Sequence, residues 1–232
     1  MIMKMRVASY NIQHGAFVDM RMQTLADDFE ALALDVVGLQ EVDIGVDRSR
    51  RIDTMAELAE ASSLKYTAFS KSIPLGGGVY GNGILSRWPI LSFESILLES
   101  GSFEQRSAAH ALLDVCGQPV HFINTHLSLS REDAAIRTRQ FAELAGLLPK
   151  EEPYILTGDF NTENFQEFDV LNAAGMLNRP DRRYPSFWKS SKAIDNILFS
   201  DGWTLEDSGM LEEKHSDHYM IWCQVSRQSE EN

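Results

Sequence analysis

YILTGDFN, residues 154–161, is the stretch on which the fold of this chain turns. Tyr154, Ile155, Leu156 and Thr157 form a short strand-like run that ends in Gly158, and a carboxylate and a carboxamide follow, Asp159 and Asn161. Two residues apart in an extended segment, such side chains point the same way. A carboxylate there can take a proton from water while the carboxamide orients that water or a phosphate. The competing reading is an Asp-capped turn before a helix that starts at Glu163.

The same pattern recurs outward from this stretch in both directions. RVASYNI carries Asn11, DVVGLQE ends on Glu41, GNGILS contains Asn82, and VHFINTH ends on His126. Further on, AIDNILF carries Asp195, and HSDHYMIWCQV opens with Asp217 and His218. One polar residue beside one apolar run is ordinary. A whole series of carboxylates, carboxamides and imidazoles so placed points to a single site at one edge of a sheet. That set suits a hard divalent cation, Mg²⁺ or Mn²⁺, with acid–base groups working on a phosphoester.

Alternation and β-branched content predict strands at 5–12, 36–40, 66–70, 83–86, 90–98, 108–116, 120–125, 154–157, 194–199 and 219–225. Helical spacing predicts helices over 22–34, 52–61, 131–148 and 163–174. Strands outnumber helices and are often neighbours in sequence, which favours a mixed α/β sandwich over alternating βαβ units. With 44% hydrophobic residues, the 232-residue chain can bury a core without staples, and it reads as one catalytic domain over 1–232.

Net charge is −13, from 34 acidic against 21 basic residues. Nucleic-acid binding draws much of its affinity from Lys and Arg on phosphates, so this balance disfavours a nuclease with a broad footprint. It leaves room for a small phosphoester whose charge a metal neutralises locally. Cys116 and Cys223 lie in apolar runs with no Cys or His partner at metal-ligand spacing, and both are expected to be buried thiols. No stretch has the length and apolarity of a signal peptide or a transmembrane helix, so a cytoplasmic location is expected.

The ordered set SYN, LQEV, GNGILSR, NTHL, GDFN, IDNIL and SDH resembles the endonuclease/exonuclease/phosphatase superfamily, from about Val7 to Val225. The resemblance implies a deoxyribonuclease-I-like fold, an α/β four-layer sandwich of two mixed β-sheets flanked by helices. Asn11, Glu41, His126 and Asp159 are then expected on loops at one rim. By the same resemblance Glu41 is the main metal ligand, with Asn11 and Asp217 beside it. Asp159 is the base or water-orienting carboxylate, helped by Asn161. Asp195 backs His218, and His126 is a second imidazole at the phosphate, a residue that counts against a dedicated abasic-site enzyme.

Asn82 and Arg106 are the expected substrate contacts. Gly81 and Gly83 beside Asn82 are read as letting backbone approach a ligand. Arg48, Arg50 and Arg51 form a basic cluster whose plainer reading is a solvated loop. The aromatic run YPSFW, residues 184–188, is either substrate-facing or core. The implied substrate is a phosphodiester or phosphomonoester, small or lipid-derived. A nuclease for DNA ends or single strands is the alternative enzyme, and a catalytically inactive binding module is the alternative class. The sequence leaves oligomeric state open.

Overall fold

The computed structural model describes residues 2–129 and 134–228. In chain order the strands are β1 (Ile2–Asn11), β2 (Val36–Ile44), β3 (Tyr66–Leu75), β4 (Gly78–Ser86), β5 (Ile90–Leu98), β6 (Arg106–Val115), β7 (Gln118–His126), β8 (Tyr154–Asp159), β9 (Gly175–Met176), β10 (Asp195–Phe199), β11 (Thr204–Leu211) and β12 (Met220–Gln228). The helices are α1 (Met22–Ala31), α2 (Thr54–Ala61) and α3 (Ala134–Leu147). The strands form two six-stranded sheets, ordered β11-β12-β1-β2-β4-β3 and β5-β6-β7-β8-β10-β9. Both are mixed, because β1 runs parallel to β2 and β7 parallel to β8, across the crossovers that hold α1 and α3.

Three apolar clusters define the layers. Met5, Val7, Val36 and Ile84 of the first sheet meet Ala111, Leu113, Phe122, Ile155 and Ile197 of the second, so this cluster lies between the sheets. Tyr10, Val37 and Leu39 face the other way, onto Leu25, Phe29, Met55 and Leu58 of α1 and α2. Ala108, Ile123 and Leu156 face Phe141 and Leu144 of α3. The result is helices, sheet, sheet, helix: the expected four-layer sandwich. Among the described residues, no helix is long and apolar enough to cross a membrane.

Inward-facing side chains change character along each central strand. In β1 they run Met5, Val7, Ser9, Asn11; in β7 Val120, Phe122, Asn124, His126; in β8 Ile155, Thr157, Asp159. The first members are apolar, the next are small or amide, and the last are site residues. Strand alternation alone therefore delivers three site residues to one end of the space between the sheets. The middle members tie the sheets together. Asn124 Nδ2 donates to the carbonyls of Leu39 (2.8 Å) and Gly83 (2.9 Å), and Gln40 Nε2 donates to Asn124 Oδ1 at 2.6 Å. The sheets approach closely at Gly38, where a Cβ would lie 2.2 Å from Thr157 Oγ1.

Several expectations need correction. Residues 163–174 do not form an α-helix; Phe165–Leu171 wind as 3₁₀ turns. Phe168 and Leu171, three apart and both buried, suit that tighter spacing, and the left-handed Asn172 ends it. The helix predicted over 131–148 is α3, and residues 131–133 lie outside the described residues. β11 escaped prediction because its sequence, TLEDSGML, is acidic and poorly alternating; it is the edge strand beside β12. Cys116 is exposed, because it and Gly117 (φ 55° and 85°) make the tight turn after β6. Cys223 is buried, and both thiols are free. Asn11, His126 and Asp159 end strands rather than sit on loops, and Glu41 lies within β2. Gly81 and Gly83 serve packing: a Cβ would lie 2.0 Å from the Ser70 carbonyl and 2.4 Å from Met55 Sδ respectively.

Candidate active site

At the polar end of the sandwich a cavity of about 690 Å³ is lined by Glu41, Arg106, His126, Asp159, Asn161, Asp217 and His218, together with Arg48, Tyr80, Phe187 and Lys192. Asn11 and Asp195 stand directly behind this lining. Asn11 Nδ2 donates to Glu41 Oε1 at 3.0 Å and to Asp159 Oδ2 at 3.1 Å. One carboxamide thus bridges the carboxylate from the first sheet and the carboxylate from the second. Asn82 stands apart. Its amide is buried and donates to the Ser107 carbonyl at 2.8 Å, and it is absent from the cavity lining.

Glu41 reaches the cavity by a different route from its neighbours. Leu39 pairs with Gly83 and Val42 with Gly81, so Gln40 and Glu41 together oppose Asn82 in a β-bulge. Glu41 has φ 57°, a left-handed conformation that costs a non-glycine residue energy and clusters at functional sites. The bulge lets Gln40 keep its inward place while the next side chain also turns to the site. Burial pushes the Glu41 carboxyl above its ordinary range, against the Asn11 hydrogen bond and the nearby His218.

Asp159 and Asn161 do converge, but through a turn and not an extended segment. Asp159 Oδ1 accepts the Asn161 backbone N–H at 3.0 Å, and Asn161 is left-handed (φ 54°). Asn161 Nδ2 then donates to the Leu127 carbonyl at 2.9 Å and lies 3.0 Å from His126 Nε2. On its other edge, His126 Nδ1 faces Arg106 Nη1 at 3.3 Å. Arg106 can only donate, so Nδ1 is the lone-pair edge and the single ring proton sits on Nε2, 3.5 Å from Asp159 Oδ2. Burial, Arg106 and His218 all hold its pKa well below the ordinary value, so His126 is neutral.

His218 is the opposite case. Its Nδ1 lies 2.7 Å from Asp195 Oδ2, and its Nε2 lies 3.7 Å from Asp159 Oδ2. Burial alone would lower its pKa, but Asp195 and Asp159 outweigh burial and raise it to about 10. Burial and Asp195 raise Asp159 to about 7, against the pull of His218. Near pH 8 the centre therefore holds an ionised Asp159 beside a charged His218.

Several supporting residues went unrecognised in the sequence. Ser186 Oγ donates to Asp195 Oδ2 at 2.5 Å, and Ser216 Oγ donates to the Asn11 carbonyl at 2.6 Å. Gln13 Nε2 and Lys189 Nζ both reach Asp217 Oδ2, at 3.0 and 3.1 Å. Ser216 was visible inside the SDH motif, whereas Gln13 and Ser186 carried no pattern to mark them. The YPSFW run divides its roles. Phe187 lines the cavity with its ring centroid 5.0 Å from that of His218, while Trp188 meets Phe17 edge-on at 6.2 Å and donates its indole N–H to the Ser216 carbonyl at 2.9 Å. The basic cluster also splits: Arg48 turns to the buried Asp43 at 2.8 Å and lines the cavity, while Arg50 and Arg51 pair outside with Asp19 and Asp47.

A metal fits this donor set. Among the described residues, the tightest group of metal-capable atoms is Asp159, Asp195 and His218, all within 4.8 Å of one another. In that group the Asp195–His218 contact is already filled by a proton. The Glu41 side offers a half-buried carboxylate whose Oε2 takes no hydrogen bond from the described residues, beside Asn11, Asp159 and Asp217. Crowded carboxylates with raised pKa values are what a hard divalent cation relieves.

A paired-sheet sandwich with metal-capable carboxylates and a His–Asp pair at one end defines a phosphoesterase-type fold. The family model for the endonuclease/exonuclease/phosphatase family matches residues 8–218, and the chain belongs to that family. Among curated relatives, the uncharacterized protein YbhP of Escherichia coli K12 is 26% identical over 168 residues, covering 67% of this chain and 66% of the relative. The match thus spans just under two thirds of the relative's length. An endonuclease/exonuclease/phosphatase structure from Beutenbergia cavernae superposes with a TM-score of 0.84 at 21% identity, over 97% of this chain and 72% of that one. The human Nocturnin catalytic domain with a bound sulfate anion gives 0.77 at 19% identity, over 97% and 95%. At these identities the two structures speak to the fold alone.

Proposed function

We propose that the chain is a single catalytic domain, a divalent-metal-dependent phosphoesterase that cleaves a small or lipid-derived phosphodiester or phosphomonoester by in-line attack of water. The observation that carries this reading is the Asn11 bridge, which sets Glu41 and Asp159 from opposite sheets around one cavity that also holds a charged His218. Glu41 would hold Mg²⁺ or Mn²⁺, with Asn11 and Asp217 at its side. Such an ion neutralises a phosphate oxygen and acidifies bound water.

The chain's own residues account for the remaining steps. Asp159, ionised above about pH 7, accepts the proton of the attacking water. Asn161 and the neutral His126 hold that carboxylate and its water in place. His218, charged and oriented by Asp195, donates to the phosphate oxygen on which charge develops. Arg106 stands beside His126 as a further phosphate contact. Asn82, with its amide turned to Ser107, would act on substrate only through the backbone it fixes.

A small substrate is supported by the cavity's size, by apolar walls that include Ile73, Leu75, Leu129 and Ile194, and by the net charge of −13. Free Cys116 and Cys223 suit a reducing compartment, and the cytoplasm is proposed on that ground. One observation favours the nuclease alternative. Lys189 and Lys214 lie over the Trp188 ring at 5.9 and 4.8 Å, and this basic and aromatic rim beside Asp217 could follow a single strand.

The test is hydrolysis with Mg²⁺ or Mn²⁺ of bis-p-nitrophenyl phosphate, lysophospholipids, inositol phosphates and oligonucleotides. Turnover of one of the first three, abolished by chelation and by Glu41→Gln, is expected. Preferred turnover of oligonucleotides promotes the alternative. No turnover of any class by folded, Mn²⁺-bound protein overturns the proposal.

A further inference from the structure

The outer face of the second sheet carries a side-chain group that the catalytic cavity does not use. His110 on β6 and His121 on β7 lie diagonally across the strand pair, since His110 pairs with Ile123 and Leu112 with His121. Ile123, on the same face, is covered by α3, whereas both histidines lie beyond that cover and are half-buried. His110 Nε2 and His121 Nδ1 approach to 2.7 Å. The other edge of His121, Nε2, lies 2.7 Å from Glu152 Oε2. Glu94 on β5 stands directly across from His110 in the β5–β6 register.

These contacts fix the tautomers. An ionised carboxylate only accepts, so His121 donates through Nε2 and its Nδ1 carries a lone pair. That lone pair is aimed at His110 Nε2, and one proton occupies the short gap. Burial and His121 lower the His110 pKa, against Glu94, which favours the neutral ring that metals bind. A carboxylate holding the far nitrogen of an imidazole, with the near nitrogen converging on a second imidazole, is the support that metal-ligating histidines characteristically have.

We propose that His110 and His121 form a transition-metal site separate from the catalytic cavity, taking Zn²⁺ or a similar borderline divalent cation in place of the shared proton. Water completes the coordination, while Glu152 positions His121. Zinc–nitrogen bonds of about 2.0–2.1 Å at tetrahedral angles put two ligand nitrogens roughly 3.3 Å apart. The present 2.7 Å separation must therefore open by about 0.6 Å, within reach of side-chain torsions on an open sheet face. Imidazoles select this class of ion, in contrast to the oxygen-rich donors around Glu41. The bound ion would staple β6 to β7.

The experiment is calorimetric titration with ZnCl₂ in excess MgCl₂, which keeps a hard-ion site filled. Wild type is compared with His110→Gln, His121→Gln, Glu152→Gln and Glu41→Gln. Glutamine retains hydrogen bonding on the sheet face, and each variant's melting temperature without zinc reports its folding. One zinc equivalent is expected in wild type and in Glu41→Gln, and it should vanish in both histidine variants. Glu152→Gln should keep the equivalent but lose affinity by about 10–100-fold. Unchanged zinc binding in the two histidine variants, or loss of the equivalent in Glu41→Gln alone, overturns the proposal. Neither outcome depends on whether the catalytic cavity hydrolyses phosphoesters.

Discussion

The space between the two sheets is built differently at its two ends. At the far end, Val7, Val36, Phe122 and Ile155 pack as an apolar core. At the site end, Ser9, Gln40, Asn124 and Thr157 occupy the same inward positions and join the sheets through hydrogen bonds. Apolar packing is strong but non-directional. Hydrogen bonds to the Leu39 and Gly83 carbonyls fix one sheet against the other in direction as well as distance. The two sheets each supply half of the site, Asn11 and Glu41 from one, His126 and Asp159 from the other. The difference teaches that one end of the interface provides stability and the other provides alignment.

The largest expected effect lies at the tip of the polar end. Asp159→Asn should lower kcat by about 10²–10⁴. Its melting temperature at pH 8 should not fall, because burial and Asp195 disfavour the charge that the substitution removes. Activity near wild type in the folded variant would show that the polar end is only a structural seam.

Next comes a direct contrast between the ends. Phe122→Ala should cost about 3–5 kcal/mol of stability, with turnover per folded molecule preserved. Asn124→Ala should cost less, about 1–3 kcal/mol, from unpaired buried groups, yet lower kcat. Denaturant melts paired with kinetics on the same samples decide this. Equal loss of kcat in both variants would dissolve the division of labour.

Asp195 and His218 sharpen the comparison within the site. Asp195→Asn should lower kcat/KM and shift its pH profile, because the imidazole loses the partner that keeps it charged. The double variant with His218→Ala should be little worse than His218→Ala alone. Additive losses in that cycle would return Asp195 to a structural role.

The smallest effect is a pH slope in stability. The folded-state pKa of His218 is raised, so its contribution is complete below the unfolded value near 6.5 and is lost as pH climbs to about 10. Asp159, also raised, makes the folded state bind more protons between its ordinary value of 3.8 and about 7. Both groups tilt stability downward as pH rises. His218→Gln should flatten the upper window in melts across pH 6–10, and an unchanged slope would mean other groups set it.

Most of this arrangement was legible in the sequence. Asn11, His126 and Asp159 were legible as polar residues ending apolar runs, which pointed to one sheet edge; that they close strands of a period-two face and do not sit on loops came from the structure. Glu41 was legible as a strand-end carboxylate, but the bulge that aims it was not, because nothing in LQEV distinguishes a regular register from one with an extra residue. Asn82 was expected at the substrate and turns its amide to Ser107. Its glycine neighbours signalled close approach, and the partners turned out to be Ser70 and Met55 rather than a ligand. Gln13 and Ser186 were invisible because they act through tertiary contacts from segments without regular structure. β11 has an exposed, acidic sequence that edge position tolerates and that apolar patterning cannot detect.

The pairing of β1 with β12 has a consequence in time. Ile2 lies opposite Gln228, and Ser9 opposite Ile221, so β1 waits for a strand made long after it. Asp217 and His218 stand just before that closing strand. During synthesis β1 therefore stays open along one edge until β12 emerges. Such long-range closure makes folding slow. A polypeptide halted before residue 217 would lack Asp217, His218 and the strand that closes β1.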